Sequence, residues 1–234
     1  MSLVPVVRIT VIIPTLNEER CLVETIESVF AGTSRDVVDI VVADGGSRDR
    51  TLKIVKSLGV RAIQTEQGRG AQMDRAAELC GKADVFLFLH ADTLLPEGWY
   101  YAVKDALKDG SVVAGGFGLS INSRSPWARI IEKGVALRAS LLGLIYGDQA
   151  IFVRADIFRR AGGFRRLPLL EDVDLIRRIR RFGRVVVLEK RVLTSPRRWQ
   201  KRGYVFTTIR NWLYLLLYYA GVSPQRLYKG YYKT

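Results

Sequence analysis

The first 92 residues alternate between short apolar runs and longer amphipathic segments. The apolar runs, which predict strands, cover residues 6–14, 37–47, 60–65 and 83–92. The amphipathic segments between them, which predict helices, cover residues 17–32, 48–59 and 68–81. Because the predicted strands are apolar throughout rather than at alternate positions, both faces of their sheet must be covered. The β-α-β-α-β-α-β order therefore predicts an α/β fold with a mostly parallel central sheet and helices on both faces.

The segment 17–32 carries the usual signs of a helix start. Leu22, Ile26 and Val29 recur at helical spacing. Asn17 precedes them and is followed by acidic residues, as the first turn of a helix favours. We therefore predict that Asn17 caps this helix.

The alternation loosens after Pro96. Helices are predicted at residues 96–110, 125–144 (one helix or a pair) and 170–183, and strands at 111–120 and 184–189. Residues 147–164 predict a short strand followed by a helix. These elements complete a domain that we place at residues 1–190.

Residues 191–234 predict a basic, aromatic helical extension. Its apolar run WLYLLLYYAGV is about half as long as the roughly 20 residues that a membrane-spanning helix needs. We therefore expect an amphipathic helix rather than a spanning one, and a membrane surface is one place where it could lie. Packing against its own domain or against a partner, including a second copy in a homodimer, remains open.

The net charge of +14 is unevenly distributed. Residues 154–234 contain 20 Lys and Arg against 5 Asp and Glu, whereas residues 1–153 contain 17 against 18. Such asymmetry indicates a polyanionic partner, either nucleic acid or an anionic membrane surface. The alternative is a solvated basic face without a partner. No recognised nucleic-acid-binding module occurs in the sequence, so we do not expect nucleic acid.

The cysteines and the N-terminus predict a location. Cys21 and Cys80 fit no metal-binding or redox spacing, so we expect free thiols in a reducing compartment. The first residues lack the basic and apolar regions of a signal peptide. We therefore expect a cytoplasmic protein, with the inner face of the cell membrane as an alternative place for the basic extension.

Six residues that could contact a ligand lie just past the carboxyl ends of the predicted strands. They are Asn17, Asp44, Gly45, Arg69, His90 and Asp92. Open α/β sheets bind their ligands at that edge. The sequence therefore predicts that these residues converge on one crevice.

Four motifs carry a family resemblance. They are VIIPTLNEE, VVADGGSRDRT, HAD after the fourth strand, and GGF…LPLLEDVDL. Their order and spacing resemble inverting family 2 glycosyltransferases with the GT-A fold, over residues 7 to about 190. The segments GRGAQMDRAA, FLHADT and YGDQAIFVR are similar to a small bacterial subfamily associated with arsenosugar biosynthesis. The resemblance implies a nucleotide-diphospho-sugar donor, a nucleotide-binding half at about 1–95 and an acceptor half at about 96–190.

The resemblance also implies which residues bind the nucleotide-sugar. They are Pro14, Thr15, Asn17, Glu18, Asp44, Gly45, Arg69, Ala91 and Asp92. Taken alone, Asp44-Gly45-Gly46 would indicate a turn, and Arg69 would be a solvated surface residue. The glycines on either side of Arg69 allow the chain to bend toward a ligand.

His90-Ala91-Asp92 occupies the place of the family's Asp-x-Asp motif. A divalent cation, Mn²⁺ or Mg²⁺, would neutralise the diphosphate leaving group there. Both ions prefer oxygen ligands, so Asp92 is the predicted metal ligand. His90 is the only histidine of the chain. It either binds Mn²⁺ or forms a hydrogen bond to ribose or to a backbone group.

Glu171 and Asp172 provide the predicted catalytic carboxylates. Inverting transfer needs a base that takes the proton of the acceptor hydroxyl. The resemblance assigns that role to Asp172, with Glu171 as a secondary residue. The alternative is a pair of first-turn acids stabilised by the helix dipole. Asp148 and Gln149 are predicted to lie on the acceptor side.

The predicted reaction is metal-dependent inverting transfer of a sugar to a hydroxyl of a small-molecule or lipid-linked acceptor. The motif that marks processive family members is incomplete, because Ser195 stands where they have glutamine. Two alternatives remain open. One is a nucleotidylyltransferase-like enzyme, and the other is a non-catalytic basic protein that binds membranes or nucleic acid on a degenerate transferase fold.

Overall fold

The computed structural model describes residues 6–232, without the side chains of residues 140–142 and 232. Its strands are β1 (Ile9–Thr15), β2 (Val38–Asp44), β3 (Arg61–Gln64), β4 (Val85–Phe88), β5 (Thr93–Leu94), β6 (Val112–Ile121), β7 (Ile151–Arg154) and β8 (Arg184–Thr194). Its helices are α1 (Leu22–Phe30), α2 (Thr51–Ser57), α3 (Arg69–Leu79), α4 (Trp99–Ala106), α5 (Pro126–Leu142), α6 (Ala155–Arg160), α7 (Glu171–Ile179), α8 (Arg197–Arg202), α9 (Tyr204–Tyr219) and α10 (Pro224–Tyr232). A 3₁₀ turn, Gly147–Gln149, precedes β7.

One mixed sheet forms the centre of the molecule. Its strand order is β3-β2-β1-β4-β7-β6-β8-β5. The first four strands in this order are parallel, as predicted from the N-terminal alternation. Strand β7 runs antiparallel to both β4 and β6, and β5 runs antiparallel to β8. The parallel arrangement therefore continues only between β6 and β8 in the second half.

Alternate residues of the inner strands face two separate cores. On one side, Ile13 of β1 and Leu87 of β4 pack in the cluster that contains Trp99 of α4. On the other side, Ile12 and Phe88 pack in the cluster that contains residues of α3, α6 and α7. This two-sided burial explains why these strands are apolar at every position.

Asn17 does not cap α1, so that prediction was wrong. Helix α1 begins at Leu22 after Cys21, and Asn17 has a φ of +57°. Asparagine tolerates this left-handed conformation better than most residues. The Asn17 backbone N–H donates to Ser47 Oγ (2.9 Å), and its Oδ1 accepts from the Arg48 N–H (2.8 Å). Asn17 therefore ties the loop after β1 to the loop after β2.

Strand β8 extends beyond the predicted residues 184–189. It pairs with β6 as far as Ile121 opposite Thr194, and with β5 through Thr93 opposite Thr194. Residues 191–194, assigned to the extension from the sequence, are therefore part of the sheet. Their mixed polar and apolar composition does not reveal this, because the pairing depends on strands distant in sequence.

Three helices follow β8 in the described residues up to 232. Helix α9 packs against α5, and α10 packs against α9. Leu227 and Tyr231 of α10 share a small buried cluster with Leu169, just before α7. Within residues 6–232, no helix is both long enough and apolar enough to cross a membrane.

Candidate active site

The carboxyl ends of β1 and β2 are joined at Asp44. This residue is fully buried, and its carboxylate accepts hydrogen bonds from Thr15 Oγ1 (3.0 Å), the Gly46 N–H (3.0 Å), the Ser47 N–H (2.8 Å) and Ser47 Oγ (2.5 Å). Four donors satisfy both oxygens, which removes the cost of burying the charge. Asp44 therefore forms the turn that its sequence indicated. Direct contact of Asp44 with a nucleoside stays a prediction.

Gln72 is a buried polar residue of α3 that the sequence did not single out. Its amide nitrogen donates to the carbonyls of Thr15 (2.9 Å) and Ala43 (2.8 Å). A Cβ on Gly45 would lie 3.1 Å from this nitrogen. The small size of Gly45 thus admits Gln72, which holds the ends of β1 and β2 in place. A single polar residue in an amphipathic helix gives no sequence signal for this role.

Two predicted ligand-binding residues form the buried floor of the crevice. Pro14 lies in β1 opposite Ala43 and is buried. Ala91 is 4% exposed, and its carbonyl accepts from Thr25 Oγ1 at 2.8 Å. Because both residues are buried, only a few backbone atoms of Ala91 or ring atoms of Pro14 could contact a ligand.

Arg197 joins two predicted nucleotide-binding carboxylates. Its Nε donates to Asp92 Oδ2 at 2.9 Å, and its terminal nitrogen lies 2.7 Å from Glu18 Oε2. Burial raises the pKa of Glu18, the Arg197 guanidinium opposes this shift, and the nearby Asp92 adds to it. Burial lowers the pKa of Arg197, but Asp92 and Glu18 outweigh that effect and raise it. Three charges thus converge where β4 and the loop after β1 meet.

The carboxylates of Glu18 and Asp92 offer oxygen atoms of the kind that a divalent cation prefers. Metal binding by Asp92 and by His90 stays a prediction. Glu18 Oε2 is buried and accepts no hydrogen bond in the described part of the chain, although it is ion-paired with Arg197. The described residues contain no group of three or more His, Cys, Asp or Glu side chains suited to a metal. A cation at this place would need further oxygen ligands, which phosphate groups and water provide in Mg²⁺ sites.

Gly147 brings His90 and Asp172 together. The Gly147 N–H donates to Asp172 Oδ2 at 2.7 Å, and Asp172 Oδ1 accepts from the Val173 N–H at 2.8 Å. A Cβ on Gly147 would lie 2.8 Å from His90 Nε2 and 3.2 Å from Asp172 Oδ2. The HAD motif and the predicted base therefore face the same point, although they are far apart in sequence.

His90 lies in a strongly cationic part of the crevice. Burial lowers the pKa of His90 well below its usual value, and the charges of Arg69, Arg198 and Arg197 lower it further. The imidazole is consequently neutral at neutral pH. Three guanidinium groups close to one neutral ring form a favourable environment for an anion.

Glu171 holds one of these cations in place. It is 3% exposed, and its Oε1 accepts from Arg69 Nε at 2.8 Å, with a second Arg69 nitrogen also at 2.8 Å. A paired geometry of this kind orients the guanidinium. Glu171 is thus bonded to Arg69, which explains why a carboxylate can be buried there. Its predicted catalytic contribution would act through Arg69.

Asp148 is a carboxylate with an unsatisfied atom beside Asp172. Burial raises the pKa of Asp148, Arg138 opposes the shift, and the charge of Asp172 adds to it. Its Oδ1 is buried and has no hydrogen-bond partner among residues 6–232 whose side chains are described. An unpaired buried oxygen next to the predicted base is suited to accept a hydrogen bond from a hydroxyl.

Gln149 supports the turn that carries Asp148. It is fully buried, its Nε2 donates to the Phe117 carbonyl (2.9 Å), and its Oε1 accepts from Arg138 (3.0 Å) and from the Tyr146 N–H (3.2 Å). All its polar atoms are engaged with the protein. Gln149 therefore affects the predicted acceptor side through the position of Asp148.

Comparison with known proteins places this geometry in context. The family model described as glycosyl transferase family 2 matches residues 10–166. No curated protein sequence is similar enough to count as a match. The crystal structure of S. aureus TarS 1–349 in complex with UDP is similar with a TM-score of 0.64 and 19% identity, covering 80% of this chain and 60% of that one.

Two further structures of the same protein are similar. S. aureus TarS 1–349 alone has a TM-score of 0.65 and 16% identity, covering 94% of this chain and 68% of that one. Its complex with UDP-GlcNAc has a TM-score of 0.64 and 16% identity, covering 80% of this chain and 58% of that one. This chain thus spans less than two thirds of the two ligand complexes. At these identities the similarity establishes the fold, and the mixed α/β architecture is that of GT-A glycosyltransferases.

Proposed function

Because the chain belongs to glycosyl transferase family 2, we propose that it transfers a sugar from a nucleotide-diphospho-sugar to an acceptor hydroxyl, with Asp172 as the base. The observation that carries this proposal is the meeting of Asp172, His90 and Gly147 at one point, beside three arginines. A donor needs cations for its diphosphate and a carboxylate for the acceptor proton, and this crevice offers both.

The proposed reaction is a single displacement. The acceptor oxygen forms a bond to the anomeric carbon while the bond from that carbon to the diphosphate oxygen breaks. Asp172 takes the hydroxyl proton, and the nucleoside diphosphate leaves with the electron pair. Attack from the face opposite the leaving group inverts the anomeric configuration. Asp148, whose Oδ1 is unpaired in the described chain, is suited to orient the acceptor hydroxyl.

Arg69, Arg197 and Arg198 are the proposed diphosphate contacts. Arg69 is oriented by Glu171, and Arg197 extends from the start of α8. Asp92 and Glu18 would hold a divalent cation, which neutralises charge on the leaving group when it is bound. Because Arg197 contacts both carboxylates, a cation bound there would compete with Arg197 for their oxygen atoms.

An apolar cavity supports an acceptor with a nonpolar part. It has a volume of about 140 Å³ and lies beside α7, which carries Asp172. Its lining includes Ile145, Tyr146 and Ile176, together with the basic residues Arg177 and Arg180. A lipid-linked alcohol suits this combination better than a free sugar, because a free sugar presents mostly hydroxyl groups.

The two alternative functions make different demands. A nucleotidylyltransferase would release pyrophosphate, and the acidic Glu18 after β1 is poorly suited to the basic phosphate loop of such enzymes. A non-catalytic basic protein would bind no nucleotide-sugar. Membership of the subfamily associated with arsenosugar biosynthesis stays a prediction. No contact among the described crevice residues favours an acceptor of that subfamily over another acceptor.

The test is a thermal-shift panel of UDP-, GDP-, ADP- and dTDP-sugars with and without Mn²⁺. We expect one nucleotide class to raise the melting temperature, with a further rise in Mn²⁺, because ligand at about 100 times its Kd stabilises by about 2.7 kcal/mol. In Asp92→Ala the Mn²⁺ increment should vanish. Glu78→Ala, which removes an exposed carboxylate of α3, should retain it.

Two outcomes would contradict the proposal. If no nucleotide-sugar raises the melting temperature of the unmodified chain, the crevice does not bind a donor. If Asp92→Ala retains the full Mn²⁺ increment, Asp92 is not the metal ligand.

A further inference from the structure

Helix α9 presents a continuous apolar stripe to solvent. The exposed apolar side chains in it are Val205, Phe206, Ile209, Trp212, Leu213 and Leu216. At 100° per residue these positions fall within an arc of about 120° on one side of the helix. Ile209 is 63% exposed and Leu216 is 62% exposed, so these side chains are not partly buried residues at the edge of the hydrophobic core. A contiguous apolar surface of this kind marks an interaction site.

Helix α5, which packs against α9, carries a second exposed stripe. Trp127, Ile130 and Leu137 are 51%, 57% and 60% exposed. Their spacing places them on one side of α5 together with Gly134. We call the exposed apolar side chains of α9 and α5 the apolar face.

The surroundings of the apolar face are cationic. Residues 190–234 contain ten Lys and Arg and no Asp or Glu. The one acidic residue of α5, Glu132, is buried, where it accepts from the Ile121 N–H and pairs with Arg129. Exposed cations lie just before α9 (Lys201 and Arg202), on α5 (Lys133) and on α10 (Arg226 and Lys229). No exposed carboxylate in these helices offsets them.

We propose that the apolar face docks on an anionic lipid bilayer. Apolar side chains with aromatic members and a Lys/Arg border are the combination that inserts into the lipid headgroup region and attracts anionic headgroups. A second copy of the chain would bring a like-charged border against this one, which disfavours a homodimer through the same face. Nucleic acid would satisfy the cations but leave the isoleucine, leucine and valine side chains without apolar contacts.

Docking in this way would bring the crevice to the membrane. Helix α8 begins with Arg197, which contacts Asp92, and only Gly203 separates α8 from α9. Helix α8 therefore connects the edge of the crevice directly to the docked helix α9. The inference concerns where the chain binds and holds whether or not the proposed sugar transfer is correct.

The test is co-sedimentation of the full chain with two kinds of vesicle. One is phosphatidylcholine alone, and the other contains about 30 mol% phosphatidylglycerol. We expect binding at least tenfold stronger to the anionic vesicles, weakening as salt rises. Lys201→Ser with Arg202→Ser should weaken it by about fivefold for each cation removed.

A paired variant tests the apolar face itself. Ile209→Asn with Leu216→Asn changes two exposed side chains, so the fold should be retained, and circular dichroism checks this. We expect at least a tenfold loss of anionic-vesicle binding, because buried methylene groups drive insertion. Tyr101→Asn is the matched control. It removes an apolar side chain that is 65% exposed on α4, and it should bind like the unmodified chain.

Each remaining outcome overturns the proposal. Equal binding to both vesicles, or no binding, excludes an anionic bilayer as the occupant. Vesicle binding that the Ile209→Asn/Leu216→Asn variant retains makes the contact purely electrostatic. The unmodified chain could also form a dimer or bind a labelled DNA duplex without binding vesicles. If the Ile209→Asn/Leu216→Asn variant abolished that association, the apolar face would belong to another partner.

Discussion

At the scale of single residues, Gly147 determines how His90 and the proposed base Asp172 meet. Its N–H fixes Asp172 at 2.7 Å, and the absence of a side chain leaves room for His90. Gly147 thus orients the proposed base Asp172 and leaves space for the His90 ring beside it. Asp172 is partly buried, and its carboxylate accepts from the Gly147 and Val173 N–H groups, which leaves lone pairs for an acceptor proton.

Gly147→Ala tests this packing. The added methyl group would lie 2.8 Å from His90 Nε2, which is too close, so His90 or Asp172 must move. Because small displacements of reacting groups are costly, we expect the rate of sugar transfer to fall by about 100-fold. Steady-state kinetics with the identified donor measures this effect.

Gly134→Ala is the control for that substitution. Gly134 lies within α5 with open space around its Cβ position. Alanine there should raise the free energy of unfolding by about 0.5–1 kcal/mol through helix propensity and leave transfer unchanged. Equal activity of the two alanine variants would show that sugar transfer does not require glycine at position 147.

At the scale of secondary-structure elements, Arg197 links α8 to two other parts of the fold. Glu18 lies in the loop between β1 and α1, and Asp92 follows β4. These segments lie in the predicted nucleotide-binding half, whereas α8 comes after the last strand. The C-terminal helices are thus attached to the sheet at the edge where we propose that the donor binds.

Arg197→Ala measures this attachment. Two partly buried carboxylates would lose their shared cation, and we expect the free energy of unfolding to fall by about 1–3 kcal/mol. Arg75→Ala removes an arginine from an exposed ion pair with Glu78 and should cost less than about 0.5 kcal/mol. Urea unfolding compares the two. If the two variants lose the same stability, Arg197 does not hold α8 in place.

The periodicity of the chain predicted most elements because their burial is local in origin. The alternation of the first 92 residues predicted β1 to β4 with α1 to α3. The family model confirms glycosyl transferase family 2, whereas the arsenosugar subfamily and the inverting mechanism stay predictions. Strand β5 was missed, since two residues form a strand only through pairing with β8. The hydrogen bonds of Gln72 and the pairing of Arg197 with Glu18 and Asp92 were not predicted, because the partners are distant in sequence.

At the scale of the whole molecule, charge is divided between two regions of the chain. Residues 1–153 are nearly neutral and supply Glu18 and Asp92, whereas residues 154–234 supply the excess of cations. The crevice lies where these regions meet, with Arg197 and Arg198 from one and the carboxylates from the other. Opposite charges brought together at a strand-end crevice suit a bound diphosphate with a cation.

The central claim is that Asp172 acts as the base in transfer from a nucleotide-sugar. The most direct measurement is donor turnover followed by mass spectrometry, comparing the unmodified chain with Asp172→Asn at equal donor occupancy. We predict that the unmodified chain releases a nucleoside diphosphate rather than pyrophosphate. We also predict that Asp172→Asn binds the donor with similar affinity but turns it over about 100- to 10,000-fold more slowly, because that is the usual contribution of a general base. Turnover retained by Asp172→Asn, or release of pyrophosphate, would contradict the account.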